Sequence, residues 1–299
     1  MLELFKDCKI CPRKCGVDRL SGQIGYCKMP ALPVMIARVA PHMWEEPCIS
    51  GSKGSGTVFF TGCNMQCVFC QNEAISRGRG GRNYTVEDLA KAFLKLQSSG
   101  VHNINLVTPT HYMPAICDAL DIARSAPSQL TIPVVYNCGG YELPEIISLL
   151  RGYVDIFMPD VKYFSDSLSV KYSKAAGYFR YAADSLEMML SVAGRPVFGK
   201  DGLMKQGVLV RHLVLPTRAE DSKKVLKNLW RRFGNDIVLS VMNQYTPMKH
   251  FEDYPELSIP LAKSSYEKVL DFAYSLGFEN IYSQEGGTVS ESFIPPFEV

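Results

Sequence analysis

The 299 residues are 46% hydrophobic and 21% charged, the balance of an ordinary globular protein with one large α/β domain or two smaller ones. A formal net charge of +2 gives no global pull toward nucleic acid or an anionic membrane surface. No apolar run approaches a membrane span, and residues 1–6 lack the apolar core of a signal peptide. Ten cysteines clustered at metal-ligand spacings point to a reducing, cytoplasmic interior rather than to disulfides.

The first stretch, to about residue 30, is a compact cysteine-rich knot. Cys8, Cys11, Cys15 and Cys27 put four thiols within 20 residues, and Pro12, Gly16, Gly22 and Gly25 supply turns between them. So short a segment, poor in large apolar side chains, is hard to stabilise by burial, and metal ligation would supply what is missing. The spacing matches neither a zinc ribbon nor a ferredoxin closely, so zinc, a second iron–sulfur cluster and four buried free thiols stay open. Residues 31–56 read as an irregular connector, because Pro30, Pro33, Pro41 and Pro47 disfavour long elements. Residues 51–56 are Gly-rich but lack the P-loop pattern, and Cys48 reads as a packed thiol.

From residue 57 the pattern changes to alternating strands and helices. A strand at 57–61 runs into Cys63, Cys67 and Cys70, three thiols within eight residues. Iron–sulfur clusters are held by cysteine thiolates, usually four. Three local thiols imply a [4Fe–4S] cluster with one iron free to take an outside ligand. A closed zinc site needs a fourth nitrogen or sulfur, and His42 and His102 are distant in the chain. With Phe69 just before the last cysteine, Thr61-Gly62 leading in and Gln71-Asn72 following, the stretch resembles the radical S-adenosylmethionine (SAM) superfamily. Within it, the stretch is similar to the pyruvate formate-lyase activating enzyme branch, and more closely to that branch's uncharacterised relatives with an extra cysteine-rich N-terminus. The resemblance implies that the open iron chelates the amino and carboxylate groups of SAM. It also implies that an electron splits SAM into methionine and a 5′-deoxyadenosyl radical, which abstracts hydrogen from a substrate. The expected partners are a flavodoxin- or ferredoxin-like electron donor and, as substrate, a polypeptide such as a glycyl-radical enzyme.

The remaining elements follow in order. Arg77, Arg79 and Arg82 stud a basic Gly-rich loop. A helix opens with the capping box Thr85-x-x-Asp88, keeps apolar spacing through Leu96 and stops at Gly100. Strands are predicted at 104–107, 132–136, 154–158, 208–214 and 237–241, with a seventh at 280–283. Helices are predicted at 114–126, from Pro144, within 165–193, up to Phe233 and within 261–276. Such alternation implies parallel pairing through right-handed crossovers. The expected fold is a partial, laterally open (β/α)6 barrel over residues 51–299, preceded by a small metal-binding extension and connector over 1–50.

In barrels, function sits at the C-terminal ends of the strands. Many radical SAM enzymes carry a Gly-Gly-Glu-like motif after strand two, and none is present here. Thr108 and Thr110 are the candidate hydroxyl acceptors for the SAM amino group. His111 is either a polar or proton-transfer group or a surface histidine. Gly139-Gly140 allows a close approach to a ligand or a tight turn, and Cys138 is expected near the mouth. Asp160 and Lys162 share a face of an extended segment, and the activating-enzyme branch has an Asp-x-Lys here that serves SAM. Arg211, in an apolar strand, is costly unless a ligand or carboxylate pairs it. Asn243 and Gln244 are candidates for the ribose or methionine part of SAM, with a weaker claim for residues 284–287. Two other functions compete. An iron–sulfur electron carrier or redox sensor would not need a six-unit barrel. Modification of RNA or a small molecule is raised by the arginine loop, although such loops are often merely solvated.

Overall fold

The structure, a computed structural model, describes residues 1–247, 250–284 and Phe297. Among the described residues the strands are β1 (Val34–His42), β2 (Ser55–Phe60), β3 (Arg82–Tyr84), β4 (Ile104–Val107), β5 (Val134–Cys138), β6 (Ile156–Pro159), β7 (Val197–Phe198), β8 (Met204–Leu213), β9 (Val238–Met242) and β10 (Ile281–Ser283). The helices are α1 (Pro47–Ser50), α2 (Glu73–Ser76), α3 (Val86–Ser98), α4 (Met113–Ser125), α5 (Pro144–Ser148), α6 (Asp166–Ser173), α7 (Tyr178–Ala193), α8 (Ala219–Phe233) and α9 (Lys263–Leu276).

The sheet order is β10-β9-β8-β6-β5-β4-β2-β1-β3, with β7 hairpinned onto β8. From β2 to β10 every neighbour on this path is parallel. Parallel strands buried on both faces read as continuous apolar runs, and every residue of β2, β4, β5, β6 and β9 is buried. Among the described residues the sheet does not close, since β3 and β10 end the path as edges. On α3 the Thr85 hydroxyl accepts from the Asp88 amide at 3.1 Å, and Leu89, Ala90, Phe93 and Leu96 form the buried stripe.

Three expectations change. Residues 31–56 are not an irregular connector, because β1 is a nine-residue strand antiparallel to β2. Pro41 is tolerated there because β3 pairs only Val34–Ile36, so among the described residues no ladder on that side is interrupted. The arginine loop likewise ends in a strand, with Arg82 opening β3. Strands β5 and β6 each begin two residues later than predicted. Pro133 cannot donate to a ladder, and the Asp155 carboxylate is engaged with the Val134 amide at 2.8 Å.

Residues 43–50 then turn into the sheet's concave side. Cys48 and Ile49 pack against Val135, Ile156, Met158, Met204, Leu209 and Val238, plugging one end of the barrel. Burial pushes the Cys48 thiol up to about 11, as fits a packed thiol.

The N-terminal stretch also finds its apolar partners in the main core, where Phe5, Cys8, Ile10, Cys27 and Met29 join the residues under α3 and α4. Arg19 pins it in place. This fully buried guanidinium donates to the carbonyls of Met29 (3.2 Å), His111 (2.6 Å) and Pro30 (2.8 Å), and lies over the Phe5 and Tyr112 rings. A buried cation is tolerable only when its donors are satisfied and its charge faces oriented dipoles. All ten cysteines are free thiols. Among the described residues, no helix is long and apolar enough to cross a membrane.

Candidate active site

The loop after β2 is shaped by its neighbours. Gly62 has φ +91°, and a Cβ there would meet Met29 Cγ at 2.4 Å and the Cys27 carbonyl oxygen at 2.6 Å. Only glycine lets the loop pass this close to the N-terminal segment. Arg13 holds the two together: its Nε donates to the Asn64 carbonyl at 2.7 Å, its other nitrogens reach the carbonyls of Ser173 and Lys174, and the guanidinium lies 3.7 Å over the Tyr26 ring. Asn64 donates to the Tyr141 carbonyl and Gln66 to that of Tyr26, each at 2.7 Å.

The three thiols on this loop are provided with donors. The Met65 amide points at Cys63 Sγ at 3.3 Å, the Ser173 hydroxyl at Cys67 Sγ at 3.0 Å, and Cys70 has the Asn72 amide and the Ser76 hydroxyl. Burial pushes Cys63 up to about 12 and Cys70 to about 11, so a bare thiolate is disfavoured there without a cation or metal. Among the described residues no three His, Cys, Asp or Glu side chains are gathered on a single metal ion. A cubane does not require that, because each of its thiolates binds a different iron. The donor set of three neighbouring sulfurs, each offered a hydrogen bond, fits such a cluster. Phe69 closes the site from behind, edge-on to Tyr163, Tyr172 and Tyr245.

Cys67 and Cys70 border a cavity of about 210 Å3 whose far wall carries Asn137, Asp160, Lys162 and Arg211. Lys162 Nζ lies 2.6 Å from Asp160, and Arg211 Nε lies 2.9 Å from the other Asp160 oxygen. Arg211 further donates to Glu45 at 3.0 Å and to Asn137 at 2.8 Å. Burial alone would raise the Asp160 carboxyl, but Arg211 and Lys162 outweigh it and hold the carboxyl below its ordinary range. Burial would likewise lower Lys162, and Asp160 more than offsets it. The cavity therefore presents fixed charges beside the cysteine loop, in a site where water screens them little.

Other predicted residues are placed elsewhere. Thr108 has φ +61° and gives its amide to the Asn137 carbonyl. The Thr110 hydroxyl does not face the cavity; it donates to buried Glu142 at 2.6 Å. His111 is neither at the surface nor at the mouth. It is buried behind the loop with Nε2 2.7 Å from the Thr61 carbonyl, and burial lowers its pKa to about 3. Cys138 is buried beside Glu142 rather than at the mouth. Gly140 serves the tight turn: a Cβ there would lie 2.3 Å from the Asp160 carbonyl. Gln244 lines the cavity and accepts from Gln71 through its carbonyl at 3.0 Å, whereas Asn243 braces Gln284. Of the 284–287 stretch only Gln284 lies within the described residues. Arg77 reaches Gln66 at 3.2 Å on the cysteine loop.

In the N-terminal segment Cys8, Cys11 and Cys27 are buried and Cys15 half-buried. The Cys8 amide donates to the Val17 carbonyl at 3.0 Å and the Gly16 amide to the Cys8 carbonyl at 3.1 Å, which folds the stretch carrying Cys8, Cys11 and Cys15 back on itself. The Tyr26 amide lies 3.4 Å from Cys15 Sγ.

Sequence reasoning missed Glu45, Glu46, Asn105 and Asn137. Asn105 donates to Glu45 at 3.0 Å, and Glu45 is the second carboxylate on Arg211. The demand of Arg211 for a carboxylate was legible in its strand; which acid supplies it depends on the inward turn of residues 43–50.

The radical SAM superfamily model matches residues 57–204. An uncharacterized protein of Methanocaldococcus jannaschii is 27% identical over 288 residues, covering 93% of this chain and 78% of its own. Streptococcus suis SuiB bound to precursor peptide SuiA shares the fold with a TM-score of 0.50 at 12% identity, over 76% of this chain and 47% of SuiB, so this chain spans about half of SuiB. A spore photoproduct lyase variant aligns over 75% of this chain and 74% of its own, at 12% identity and a TM-score of 0.46. Residues 57–204, which begin in β2 and take in the cysteine loop, are a radical SAM superfamily domain.

Proposed function

We propose that the protein is a radical SAM oxidoreductase of the activating-enzyme type, acting on a polypeptide. The observation that carries the reading is that Cys67, Cys70, Asp160, Lys162 and Arg211 border one cavity. Cys63, Cys67 and Cys70 would hold a [4Fe–4S] cluster, which when bound would supply the electron for reductive cleavage of SAM. The protein's own contribution is binding and exclusion. Lys162 has ammonium protons beyond the one directed at Asp160, and these suit the SAM carboxylate. Gln244, Gln71 and Asn72 offer amide groups along the same wall, and the ring cluster around Phe69 keeps water from the thiols. A polypeptide substrate is supported by the open edge of the sheet and by the fold's use in SuiB, which holds a precursor peptide. Cys8, Cys11, Cys15 and Cys27 are assigned to a second metal centre, with an iron–sulfur cluster favoured over zinc. A flavodoxin- or ferredoxin-like donor in the cytoplasm completes the proposal. Nucleic acid is not favoured, because Arg77 is engaged with Gln66 and Glu73 beside the cysteine loop.

The test is anaerobic reconstitution followed by assay for 5′-deoxyadenosine and methionine under strong reductant. The wild type is expected to form both and Cys67→Ala neither. Lys162→Ala is expected to weaken SAM binding by roughly tenfold while keeping the cluster, since it removes one charge-assisted contact. Equal turnover by Cys67→Ala refutes the assignment.

A further inference from the structure

On the open side of the sheet a second cavity of about 440 Å3 adjoins the first and shares Trp44, Glu45, Arg211 and Gln244 with it. One wall comes from the segment that turns into the barrel before α1, including Glu46, and the other from the far edge, with Ser240, Tyr282 and Gln284. Glu46 is only 9% exposed, yet among the described residues its Oε2 has no hydrogen-bond partner. Ser240 bonds the same carboxyl group. The cation nearby, Arg211, directs its hydrogen bonds to Asp160, Glu45 and Asn137.

Two further observations say what is missing. Among the described residues the two cations lining the joined cavities are held by Asp160 and Glu45, Glu46 has no ion pair, and burial raises the Glu46 carboxyl, so a cation seated beside it would favour its ionised form. Trp44, 63% exposed at the rim, and Tyr282 add aromatic rings, which attract cations through their faces. A carboxylate oxygen without a donor, flanked by aromatic rings in a cavity this size, is suited to an alkylammonium or alkylguanidinium group.

We propose that the second cavity is a substrate subsite that holds a cationic side chain, a primary ammonium or a guanidinium, with Glu46 Oε2 accepting its hydrogen bond. Its role as a substrate subsite rests on the reading of the adjoining cavity as the SAM site; the cation binding itself does not. Seating the charged end against Glu46 leaves the carbon chain leading back past Arg211 and Gln244 toward the first cavity.

The experiment is calorimetric titration of the cluster-loaded full chain with n-butylguanidinium and with n-butylurea, its neutral isostere. The guanidinium is expected to bind saturably and at least about tenfold more tightly than the urea, because only it makes a charge-assisted bond. Glu46→Gln, checked by thermal melting for an intact fold, is expected to erase that preference. The comparison on the wild type stands whether or not the variant folds. Equal binding of the two probes, tighter binding of the urea, or no saturable binding of the guanidinium overturns the proposal. So does a Glu46→Gln protein that keeps the guanidinium preference while losing affinity for SAM, because the cation beside Glu46 would then belong to SAM. Guanidinium binding in a protein that fails to cleave SAM would keep the cation site and remove the reading of the first cavity.

Discussion

The two cysteine-rich segments differ in what their thiols face. Those of Cys67 and Cys70 border a cavity lined with ionised side chains, and each has a hydroxyl or amide pointed at it. Those of Cys8, Cys11 and Cys27 are buried, and Cys8 and Cys27 join the apolar core with Phe5 and Met29. A metal on the first loop can reach a ligand, whereas a metal on the second is enclosed by chain. The segments also touch, through Arg13 and through Gly62 against Met29 and Cys27. Both spacings suit metal ligation, and the surroundings of the thiols separate what each centre could do.

The sharpest way to break this comparison is metal analysis of the protein with Cys63, Cys67 and Cys70 all changed to Ala. SAM cleavage should vanish entirely while the N-terminal metal stays. About four irons per chain would make it a second cluster, and about one zinc a closed structural site. Neither metal, together with ready alkylation of Cys8 and Cys11 in the folded protein, would remove the second centre.

The next largest effect concerns the charged wall that only the cysteine loop possesses. Arg211→Ala takes the counter-charge from Glu45 and leaves Asp160 with Lys162 alone, and should cost about 3–5 kcal/mol in urea denaturation. A loss below about 1 kcal/mol would mean that these groups are solvated like a surface pair.

Arg13→Ala probes the joint between the segments. It removes charge-assisted hydrogen bonds to Asn64 and Ser173 and the contact with Tyr26, so a loss of roughly 2–3 kcal/mol is expected. It should also speed release of iron from the Cys63 loop; iron retention equal to the wild type would show that the N-terminal segment does not support the loop.

The last test is a pH slope. Glu142 is fully buried, and burial raises its carboxyl from 4.5 to about 8 against hydrogen bonds from Thr110, Cys138 and Tyr136. Between those values the folded chain holds a proton that the unfolded chain has released, so stability falls as pH rises from about 4.5 to about 8. Glu142→Gln should flatten that decline in melts across the same window. An unchanged slope would assign the pH dependence to other groups.

Most of the frame is legible in the sequence. The capping box at Thr85, the strand at 104–107, the helix start at Pro144 and the edge strand near 280 all stand where the pattern puts them. These signals are local: a cap, a parallel-strand apolar run and a fixed proline φ act over a few residues. The cysteine triplet is legible for the same reason, since its spacing alone brings three thiols onto one loop. Asp160 and Lys162 are also two residues apart, and their contact follows from that distance.

Only the tertiary structure decided the rest. Glu45 meets Arg211 across 166 positions, and Glu46 meets Ser240, because residues 43–50 turn into the open barrel instead of passing around it. His111 is interior, not exposed, because the N-terminal segment covers it and Arg19 bonds its carbonyl. Thr110 is drawn to Glu142 and away from the cavity by a contact across 32 positions. Residue type sets what a side chain needs, such as a counter-charge for arginine or a donor for carboxylate. Which group meets that need depends on long-range packing, and a single sequence carries no local record of those contacts.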